Sequence, residues 1–246
     1  MRAIILAAGI GNRMKPLTEA IPKCLLTISG QTILSRLISQ LISFGIKDIT
    51  VVVGHKREKV IEELARISSS EVAIVENRRY EEDVNILSLT LALQKDLRPF
   101  YLFEADCVFE DRCFELILDS NYKNKSVWYS NGDFIKGQYG GIIKSNELNE
   151  VTDVKIVDAY KDEYKNYKKM IGALKIGENQ LETYANYLFK ACKNNIKQYY
   201  HMPWIEHIDE LKSYLCDLGH LRVTSFNTIE DYYRAKEMFS NEAGEH

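Results

Sequence analysis

Residues 3–26 read AIILAAGIGNRMKPLTEAIPKCLL, and this is the most informative stretch of the chain. Its apolar first part is typical of a buried β-strand, and a glycine turn at Gly9 and Gly11 follows. Glycine lacks the Cβ atom that would keep an anionic ligand away from the backbone N–H groups. Two cations, Arg13 and Lys23, lie a short loop apart and suit a polyphosphate better than a single phosphate. The stretch therefore predicts nucleotide chemistry at the carboxyl end of a strand.

Two better-known phosphate-binding loops do not match this stretch. A dinucleotide fingerprint needs glycine where the chain has Met14, and a P-loop needs Gly-Lys followed by Ser or Thr, which is absent. The two glycines alone would fit a tight turn in any α/β protein. The whole of residues 6–23, however, resembles the signature of the sugar-phosphate and choline-phosphate nucleotidylyltransferases, L-A-A-G-x-G-x-R-x-x-P-L-T-x-x-x-P-K. Every fixed position of that signature is present.

Hydrophobic periodicity predicts alternating strands and helices in the first half of the chain. Further strands are predicted in the middle, separated by polar loops, and more helices follow. The predicted strands are 3–8, 49–53, 72–75, 100–105, 126–130, 139–144, 151–157, 169–176 and 221–226. The predicted helices are 31–44, 56–67, 86–94, about 178–193, 204–215 and 228–239. The pattern predicts an α/β fold with a mostly parallel Rossmann-like sheet, helices on both faces and an antiparallel acceptor-side extension. The resemblance implies a fold like that of the nucleotide-diphospho-sugar transferases, as a single nucleotidylyltransferase domain over residues 1–246.

The bulk composition excludes several classes of function. A net charge of −3 and a pI near 6.0 leave no basic footprint for nucleic acid. No apolar stretch approaches membrane-spanning length, and the start of the chain does not read as a signal peptide. Five cysteines without a C-x-x-C motif signal neither a disulfide framework nor a zinc site, and His201 and His207 read as ordinary residues. We expect a cytoplasmic protein without a nucleic-acid or membrane partner; its oligomeric state is open, with a homodimer as one expectation.

A nucleoside triphosphate site requires Mg²⁺, which takes only one or two protein carboxylates. Residues 100–106, FYLFEAD, place Glu104 near the end of a predicted strand and Asp106 just past it, where ligands of open α/β folds bind. In the resembling family an aspartate at the position of Asp106 binds the metal. The family's second ligand lies in a [D/N]-T-x-E-D run, which resembles residues 227–231 and implies Asn227 as the other ligand. Glu230 and Asp231 are the alternatives, and Asn227 could instead cap the following helix.

Residues 77–89 indicate the choice of nucleobase. They resemble the N-x-x-Y-x-x-x-N-I-x-S-L stretch of bacterial choline-phosphate cytidylyltransferases, which lines the base pocket in that family. The resemblance places Asn85 and Ser88 in the pocket and favours CTP over UTP or dTTP, although both could simply cap a helix. The full set of residues expected to bind the nucleotide is Leu6, Ala7, Ala8, Gly9, Gly11, Asn85, Ser88, Glu104 and Asp106.

The acceptor site is predicted from aromatic residues and from one predicted strand. An aromatic wall would suit a quaternary ammonium, although aromatic residues at these spacings are more often core. The available aromatic residues are Trp128, Tyr129, Tyr139, Tyr167 and Trp204. Lys168 and Lys169 precede Met170-Ile171-Gly172, which resembles the family strand that carries an acceptor-side glycine. Both lysines are candidates to meet the acceptor phosphate, and we expect Lys168, Gly172, Trp128 and Trp204 to bind the acceptor.

Together these features predict a cytidylyltransferase. The resemblance implies transfer of CMP from CTP to a small phosphorylated acceptor, with release of pyrophosphate. L-glutamine phosphate, choline phosphate and aminoalkyl phosphonates are the acceptors left open, and the CDP-linked product would serve the decoration of a surface polysaccharide. In the resemblance, Lys23 approaches the α-phosphate and the acceptor phosphate, while Arg13 stabilises the leaving pyrophosphate. The alternatives are a sugar-1-phosphate nucleotidylyltransferase that uses UTP or dTTP, and a nucleotide-binding regulator without catalytic activity.

Overall fold

The fold is built around one mixed β-sheet, seen in a computed structural model that describes residues 1–67 and 72–240. The strands of this sheet include most of those predicted from the sequence, and two short strand pairs lie outside it. In chain order the strands are β1 (Arg2–Ala7), β2 (Thr27–Ile28), β3 (Gln31–Thr32), β4 (Ile49–Val53), β5 (Val72–Glu76), β6 (Phe100–Glu104), β7 (Cys107–Phe109), β8 (Val127–Asp133), β9 (Gly140–Ser145), β10 (Val151–Val157), β11 (Lys168–Ile176), β12 (Tyr214–Asp217) and β13 (Val223–Ser225). The α-helices are α1 (Leu17–Ala20), α2 (Ile33–Ser43), α3 (Arg57–Arg66), α4 (Ile86–Lys95), α5 (Arg112–Ile117), α6 (Leu181–Asn194), α7 (Met202–Glu206) and α8 (Ile229–Met238).

The main sheet has a parallel half and an antiparallel half. Its strand order is β10-β9-β11-β6-β1-β4-β5, and β8 pairs with both β11 and β12. Strands β6, β1, β4 and β5 run parallel to one another, whereas β11 runs antiparallel to β6, β8 and β9. The predicted fold class, a mostly parallel core with an antiparallel extension, is confirmed.

Helices cover both faces of the central strands β1 and β4, which explains why these two strands read as continuous apolar runs. Every residue of β1 and β4 is buried. On one face Ile5 and Val51 pack with α2 through Leu37. On the other face Ile4 packs with α4 and α6, and Leu89 lies in the same cluster. Buried side chains on both faces therefore fix the sheet, and the strand ends are free to form a site.

The predicted helix over 204–215 is wrong. Only Met202–Glu206 is helical at this place, and Tyr214–Asp217 forms β12, which pairs in parallel with β8. The apolar residues here fit a helical period, but the backbone of β12 pairs with β8 at an edge of the sheet. The local sequence carries no signal for this long-range pairing. The prediction also lacked β7 and α5.

The predicted domain extends beyond the part of the chain that the structure describes. Residues 68–71 and 241–246 of the predicted 1–246 span lie outside the described residues. No helix in residues 1–67 or 72–240 is both long and apolar enough to cross a membrane.

Candidate active site

A cleft of about 580 Å³ lies at the carboxyl ends of β1 and β6. All of the residues that the sequence predicted to bind the nucleotide line this cleft. They are Leu6, Ala7, Ala8, Gly9, Gly11, Asn85, Ser88, Glu104 and Asp106. The structure therefore brings together segments that are far apart in the chain, at the edge of the sheet where ligands of parallel α/β folds bind.

The glycine turn after β1 is shaped by its two glycines in different ways. Gly11 has a φ of +71°, and a Cβ atom there would lie 3.2 Å from Thr18 Cγ2 and 3.3 Å from Lys23 Cβ. Thr18 Oγ1 donates to the Gly11 carbonyl at 2.9 Å, which holds the turn against the segment that carries Lys23. A Cβ at Gly9 would meet no atom within 4 Å, so this glycine leaves open space on the cleft side.

Four polar side chains converge at one end of the cleft. The Lys23 ammonium donates to Asp106 Oδ2 at 2.6 Å and to Asn227 Oδ1 at 3.1 Å. Arg13 donates to the same Asn227 oxygen at 2.9 Å and to the Tyr139 hydroxyl at 3.3 Å. The Lys23 and Asp106 side chains are 14% and 18% exposed, so the pair is mostly shielded from bulk water but open to the cleft. We call Arg13, Lys23, Asp106 and Asn227 the charged cluster.

Asp106 and Asn227 meet because two short strands pair. Strand β7 begins directly after Asp106, and β13 ends two residues before Asn227; Cys107 pairs with Ser225 in antiparallel register. The amide of Phe226 donates to the Asp106 carbonyl at 3.4 Å, which closes the end of this pair. The pairing thus brings together the side chains of Asp106 and Asn227, which lie about 120 residues apart in the chain.

Asn227 does not cap the helix that follows it. Thr228 is the N-cap of α8 and forms a capping box with Asp231, in which each side chain accepts a hydrogen bond from the other's backbone N–H. This capping occupies Asp231, one of the two alternative metal ligands, and neither Asp231 nor Glu230 lines the cleft. The Asn227 side chain therefore remains part of the charged cluster.

The donor set of the charged cluster suits Mg²⁺. A carboxylate oxygen of Asp106 and the amide oxygen of Asn227 both face one cation, the Lys23 ammonium. Hard oxygen donors of this kind, one or two from the protein, are what Mg²⁺ takes when substrate phosphates and waters supply the rest. Among residues 1–67 and 72–240 there is no group of three or more His, Cys, Asp and Glu side chains that could hold a metal.

On the predicted nucleobase side, Asn85 and Ser88 are held by hydrogen bonds. Asn85 Oδ1 accepts from the Tyr200 amide at 2.9 Å, and its Nδ2 donates to Glu104 Oε1 at 3.3 Å. The Ser88 hydroxyl donates to Asp83 Oδ2 at 2.7 Å, and Ser88 is buried. These bonds anchor the start of α4 at the wall of the cleft.

Glu104 lies on the floor of the cleft beside the predicted acceptor glycine. A Cβ at Gly172 would lie 2.7 Å from both Glu104 Cβ and Oε2, and 2.9 Å from Cys107 Sγ. Gly172 is therefore required by the close approach of β11 to the Glu104 side chain. Burial, together with the nearby Asp106 charge, raises the pKa of Glu104 to about 7, against the opposing effect of the Lys23 ammonium.

The structure separates the two neighbouring lysines of β11. Lys169 lines the cleft and donates to the carbonyls of Met170 at 3.2 Å and Gly141 at 3.3 Å. Burial lowers the pKa of the Lys169 ammonium, against the opposing effect of the Glu104 carboxylate. Lys168 instead pairs with Asp133 at 2.7 Å and Asp217 at 3.0 Å and does not line the cleft. The prediction that Lys168 lies in the site is thus corrected: of the two candidate lysines, only Lys169 lines the cleft.

The predicted aromatic wall is also corrected. Trp128 and Trp204 are fully buried, 5.5 Å apart between ring centroids, and belong to the core between the sheet and α6. Tyr129 and Tyr167 are buried as well, and only Tyr139 of the five aromatic residues lines the cleft. Large apolar rings gain most from complete burial, and strand alternation turns Trp128 toward the helices.

Three consecutive residues of the cleft were missed by the sequence reading. Tyr199, Tyr200 and His201 all line it, just before α7. His201 is 8% exposed, and neither of its ring nitrogens has a hydrogen-bond partner in the structure. Burial, with a further contribution from Lys169, lowers the pKa of His201 to about 3, so the ring is neutral at pH 7. Their approach to Asn85 is a tertiary contact that no local motif signals.

The match to a family of known proteins agrees with this geometry. The family model described as nucleotidyl transferase matches residues 2–155, which contain the glycine turn, the predicted base segment and Asp106. The chain belongs to the nucleotidyl transferase family. The family predicted from the opening signature is confirmed.

Individual nucleotidyl transferases resemble the chain over different lengths. The choline-phosphate cytidylyltransferase of Streptococcus pneumoniae is 26% identical over 98% of this chain and 100% of its own length. The 2-aminoethylphosphonate cytidylyltransferase of Lancefieldella rimae is 37% identical over 44% of each chain. The chain thus spans less than half the length of some curated relatives that it matches. The solved structure of CTP:phosphocholine cytidylyltransferase from Streptococcus pneumoniae has a TM-score of 0.81 and 24% identity, covering 96% of this chain and 98% of that one.

Proposed function

We propose that this nucleotidyl transferase moves CMP from CTP to a small phosphorylated or phosphonate acceptor and releases pyrophosphate. The observation that carries the proposal is the charged cluster, in which two cations, a carboxylate and an amide oxygen meet at the mouth of a cleft lined by the glycine turn. A triphosphate bound to that turn would lie against Arg13 and Lys23. The cluster supports nucleotidyl transfer in this cleft, because its two cations would neutralise phosphate charge and its oxygens would hold a metal ion.

The reaction needs alignment and charge more than acid–base groups. An oxygen of the acceptor phosphate attacks the α-phosphorus, the new P–O bond forms, and the bond from the α-phosphorus to the bridging oxygen breaks as pyrophosphate leaves. The acceptor phosphate is already a nucleophile near pH 7, so no side chain has to remove a proton. Lys23 binds the α-phosphate and the incoming oxygen, Arg13 binds the departing pyrophosphate, and catalysis comes from positioning and charge neutralisation.

We assign the magnesium site to Asp106 and Asn227. Bound there with the triphosphate, Mg²⁺ would neutralise phosphate charge in the transition state. Lys23 would then keep its contact with the phosphates while its carboxylate and amide partners take the metal. The amide of Asn227 contributes no charge, so Asp106 supplies most of the protein's electrostatic attraction for the cation.

The choice of CTP and of a small acceptor is supported by two independent features. Relatives named for cytidylyl transfer to choline phosphate and to 2-aminoethylphosphonate match the chain, one of them over nearly its whole length. The cleft is also lined by Lys169, which lies on the strand that carries Gly172 and donates to the backbone carbonyls of Gly141 and Met170. We place the acceptor phosphate between Lys169 and Lys23. A CDP-linked product is activated for transfer onward, so we place the enzyme in the cytoplasm, where CTP is available, in the decoration of a surface polysaccharide.

The proposal is tested by measuring pyrophosphate release with CTP, UTP, dTTP and ATP against a panel of phosphorylated acceptors. We expect CTP with a small phosphate or phosphonate acceptor to give the highest kcat/KM. A preference for UTP or dTTP with hexose 1-phosphates would establish a sugar nucleotidylyltransferase instead. Absence of turnover with every pair would favour a nucleotide-binding regulator.

The metal assignment has its own test, a magnesium titration of the same assay. Asp106→Asn removes the only charged oxygen of the assigned pair, so we expect the Mg²⁺ concentration for half-maximal rate to rise by at least about tenfold, with a lower maximal rate. Asp209→Asn is the matched control, because Asp209 is exposed and lies outside the cleft. An unchanged magnesium requirement in Asp106→Asn would contradict the assignment.

A further inference from the structure

The loop that follows β4 packs against the segment that carries the glycine turn. We call residues 54–56 the supporting loop. The amide of His55 donates to the Ala8 carbonyl at 3.1 Å. A Cβ atom at Gly54 would lie 2.9 Å from both the Cβ and the carbonyl oxygen of Ala8, so only glycine permits this close approach. The supporting loop therefore contacts the residue between β1 and the glycine turn, although none of its own residues lines the cleft.

Lys56 of the supporting loop binds the other end of the same segment. Its ammonium donates to the Thr18 carbonyl at 3.0 Å and also to the Glu19 carbonyl. Both carbonyls belong to α1, a helix of four residues. A helix leaves its last carbonyls without partners of its own, and a lysine side chain can supply them. Lys56 therefore fixes α1 to the supporting loop.

Thr18 joins α1 to the glycine turn. Its hydroxyl donates to the Gly11 carbonyl at 2.9 Å, and the residue is buried. A Cβ atom on Gly11 would lie 3.2 Å from Thr18 Cγ2 and 3.3 Å from Lys23 Cβ, so the three residues pack closely. Lys56 thus holds the backbone of Thr18, and the Thr18 side chain in turn holds the glycine turn beside Lys23.

The backbone of Lys56 adopts an unfavourable conformation. Its φ of +49° and ψ of +40° lie in the left-handed region, where residues other than glycine are uncommon. Such a conformation persists only where the surrounding structure over-determines it, and these positions cluster at functional sites. Here the bonds from the ammonium to α1 supply the restraint. Glycine would relieve the strain at this position but could not reach α1.

We infer that Lys56 is a positioning residue for the nucleoside triphosphate. It holds Thr18, and through Thr18 the glycine turn and Lys23, in the arrangement that binds the phosphates. It acts without touching the ligand, because it does not line the cleft. This role rests on the proposed function, which supplies the triphosphate as the ligand, and it extends the site to a loop outside the opening signature.

The test measures dissociation constants by calorimetric titration of CTP, UTP, dTTP and ATP, each with Mg²⁺, and follows the nucleotide that binds the wild type most tightly. Lys56→Met removes the ammonium and keeps the left-handed strain, whereas Lys56→Gly removes the ammonium and relieves the strain. We expect both variants to raise the dissociation constant by at least about fivefold, through loss of the charged hydrogen bonds to α1. The urea midpoint of Lys56→Gly should nevertheless be higher than that of Lys56→Met.

The controls separate positioning from charge and from stability. Lys56→Arg keeps a cationic donor and should restore most of the affinity. Lys59→Met is the matched control, because Lys59 also lies beside α1 but donates to the Ala20 carbonyl, at 2.8 Å. It removes the same charge while Thr18 stays held, so the dissociation constant should stay close to that of the wild type.

Three results would overturn the role of Lys56 while triphosphate binding by the wild type stands. They are an unchanged dissociation constant in Lys56→Met, an equal rise in Lys59→Met, and affinities that simply follow the urea midpoints of the variants. Tightest binding of UTP or dTTP would contradict the proposed nucleotide, and the variants would still decide the role of Lys56. If none of the four nucleotides binds the wild type, the proposed function and the role of Lys56 fail together.

Discussion

Replacing Lys23 by methionine tests the charged cluster at its centre. The change keeps a long unbranched side chain but removes the ammonium to which Asp106 and Asn227 both bond, at 2.6 and 3.1 Å. It also removes the cation that would contact the α-phosphate. The expected effects on stability and on turnover have different origins, so they can be measured separately.

The stability cost follows from the exposure of the pair. The Lys23 and Asp106 side chains are 14% and 18% exposed, between a surface ion pair and a fully buried one. Removing one partner costs little at the surface and about 3–5 kcal/mol in the interior, so we expect a loss of about 1–3 kcal/mol. The remaining bond from Arg13 to Asn227 keeps part of the cluster in place. The variant should therefore fold, with a lower urea midpoint.

The effect on turnover should be larger. Loss of one preorganised donor to transition-state charge costs about 10²–10³ in kcat, and loss of a cation should cost at least that much. The assay is continuous pyrophosphate release at saturating CTP and acceptor, with folding checked by circular dichroism and urea unfolding. Lys15→Met is the matched control, because Lys15 is exposed on the same loop and does not line the cleft. A folded Lys23→Met variant with kcat within about tenfold of the wild type would refute the role of Lys23.

Three further predictions concern the rest of the cleft. Lys169→Met should raise the acceptor KM by at least about tenfold through loss of a charged hydrogen bond, whereas Lys168→Met should not; equal effects on KM would contradict the assignment. Gly172→Ala should destabilise the fold by about 1–3 kcal/mol in urea unfolding, because its Cβ would lie 2.7 Å from Glu104 Cβ; unchanged stability would contradict the close packing. Between pH 7 and pH 5 the wild type should lose about 2 kcal/mol of stability that His201→Phe does not lose, because the unfolded histidine takes up a proton near pH 6.5 whereas the folded one does so only near pH 3. If the free energies of unfolding of the wild type and of His201→Phe fell by the same amount between pH 7 and pH 5, that last prediction would be contradicted.

Much of the fold and of the triphosphate end could be predicted from the sequence because the signals are local. The buried strand 49–53 reads as apolar over its whole length, and the opening signature carries Arg13 and Lys23 in one segment. Asp106 lies just past an apolar strand, so its position at the sheet edge follows from strand direction alone. Asn227 required the resemblance, because its contact with Lys23 depends on the pairing of β7 with β13.

The acceptor end could not be predicted in the same way. Whether Lys168 or Lys169 enters the cleft depends on an irregular register between β11 and β8, with a shift between Lys168 and Met170. From the sequence, Trp128 fits a core residue as well as a residue of the acceptor-side aromatic wall. The folded structure decides between them, because α6 and α7 cover its face of the sheet. His201 has no motif around it, and only the folded chain brings it to the cleft.

The most direct test of cytidylyl transfer is to follow the label from CTP that carries ³²P at either the α- or the γ-position. With a small phosphorylated acceptor and Mg²⁺, we predict that the α-label enters a CDP-linked product and that the γ-label appears only in pyrophosphate. Lys23→Met should slow the appearance of the α-label in the product and of the γ-label in pyrophosphate to the same extent. Appearance of the γ-label in the acceptor, or release of the α-label only as free CMP or CDP, would contradict nucleotidyl transfer.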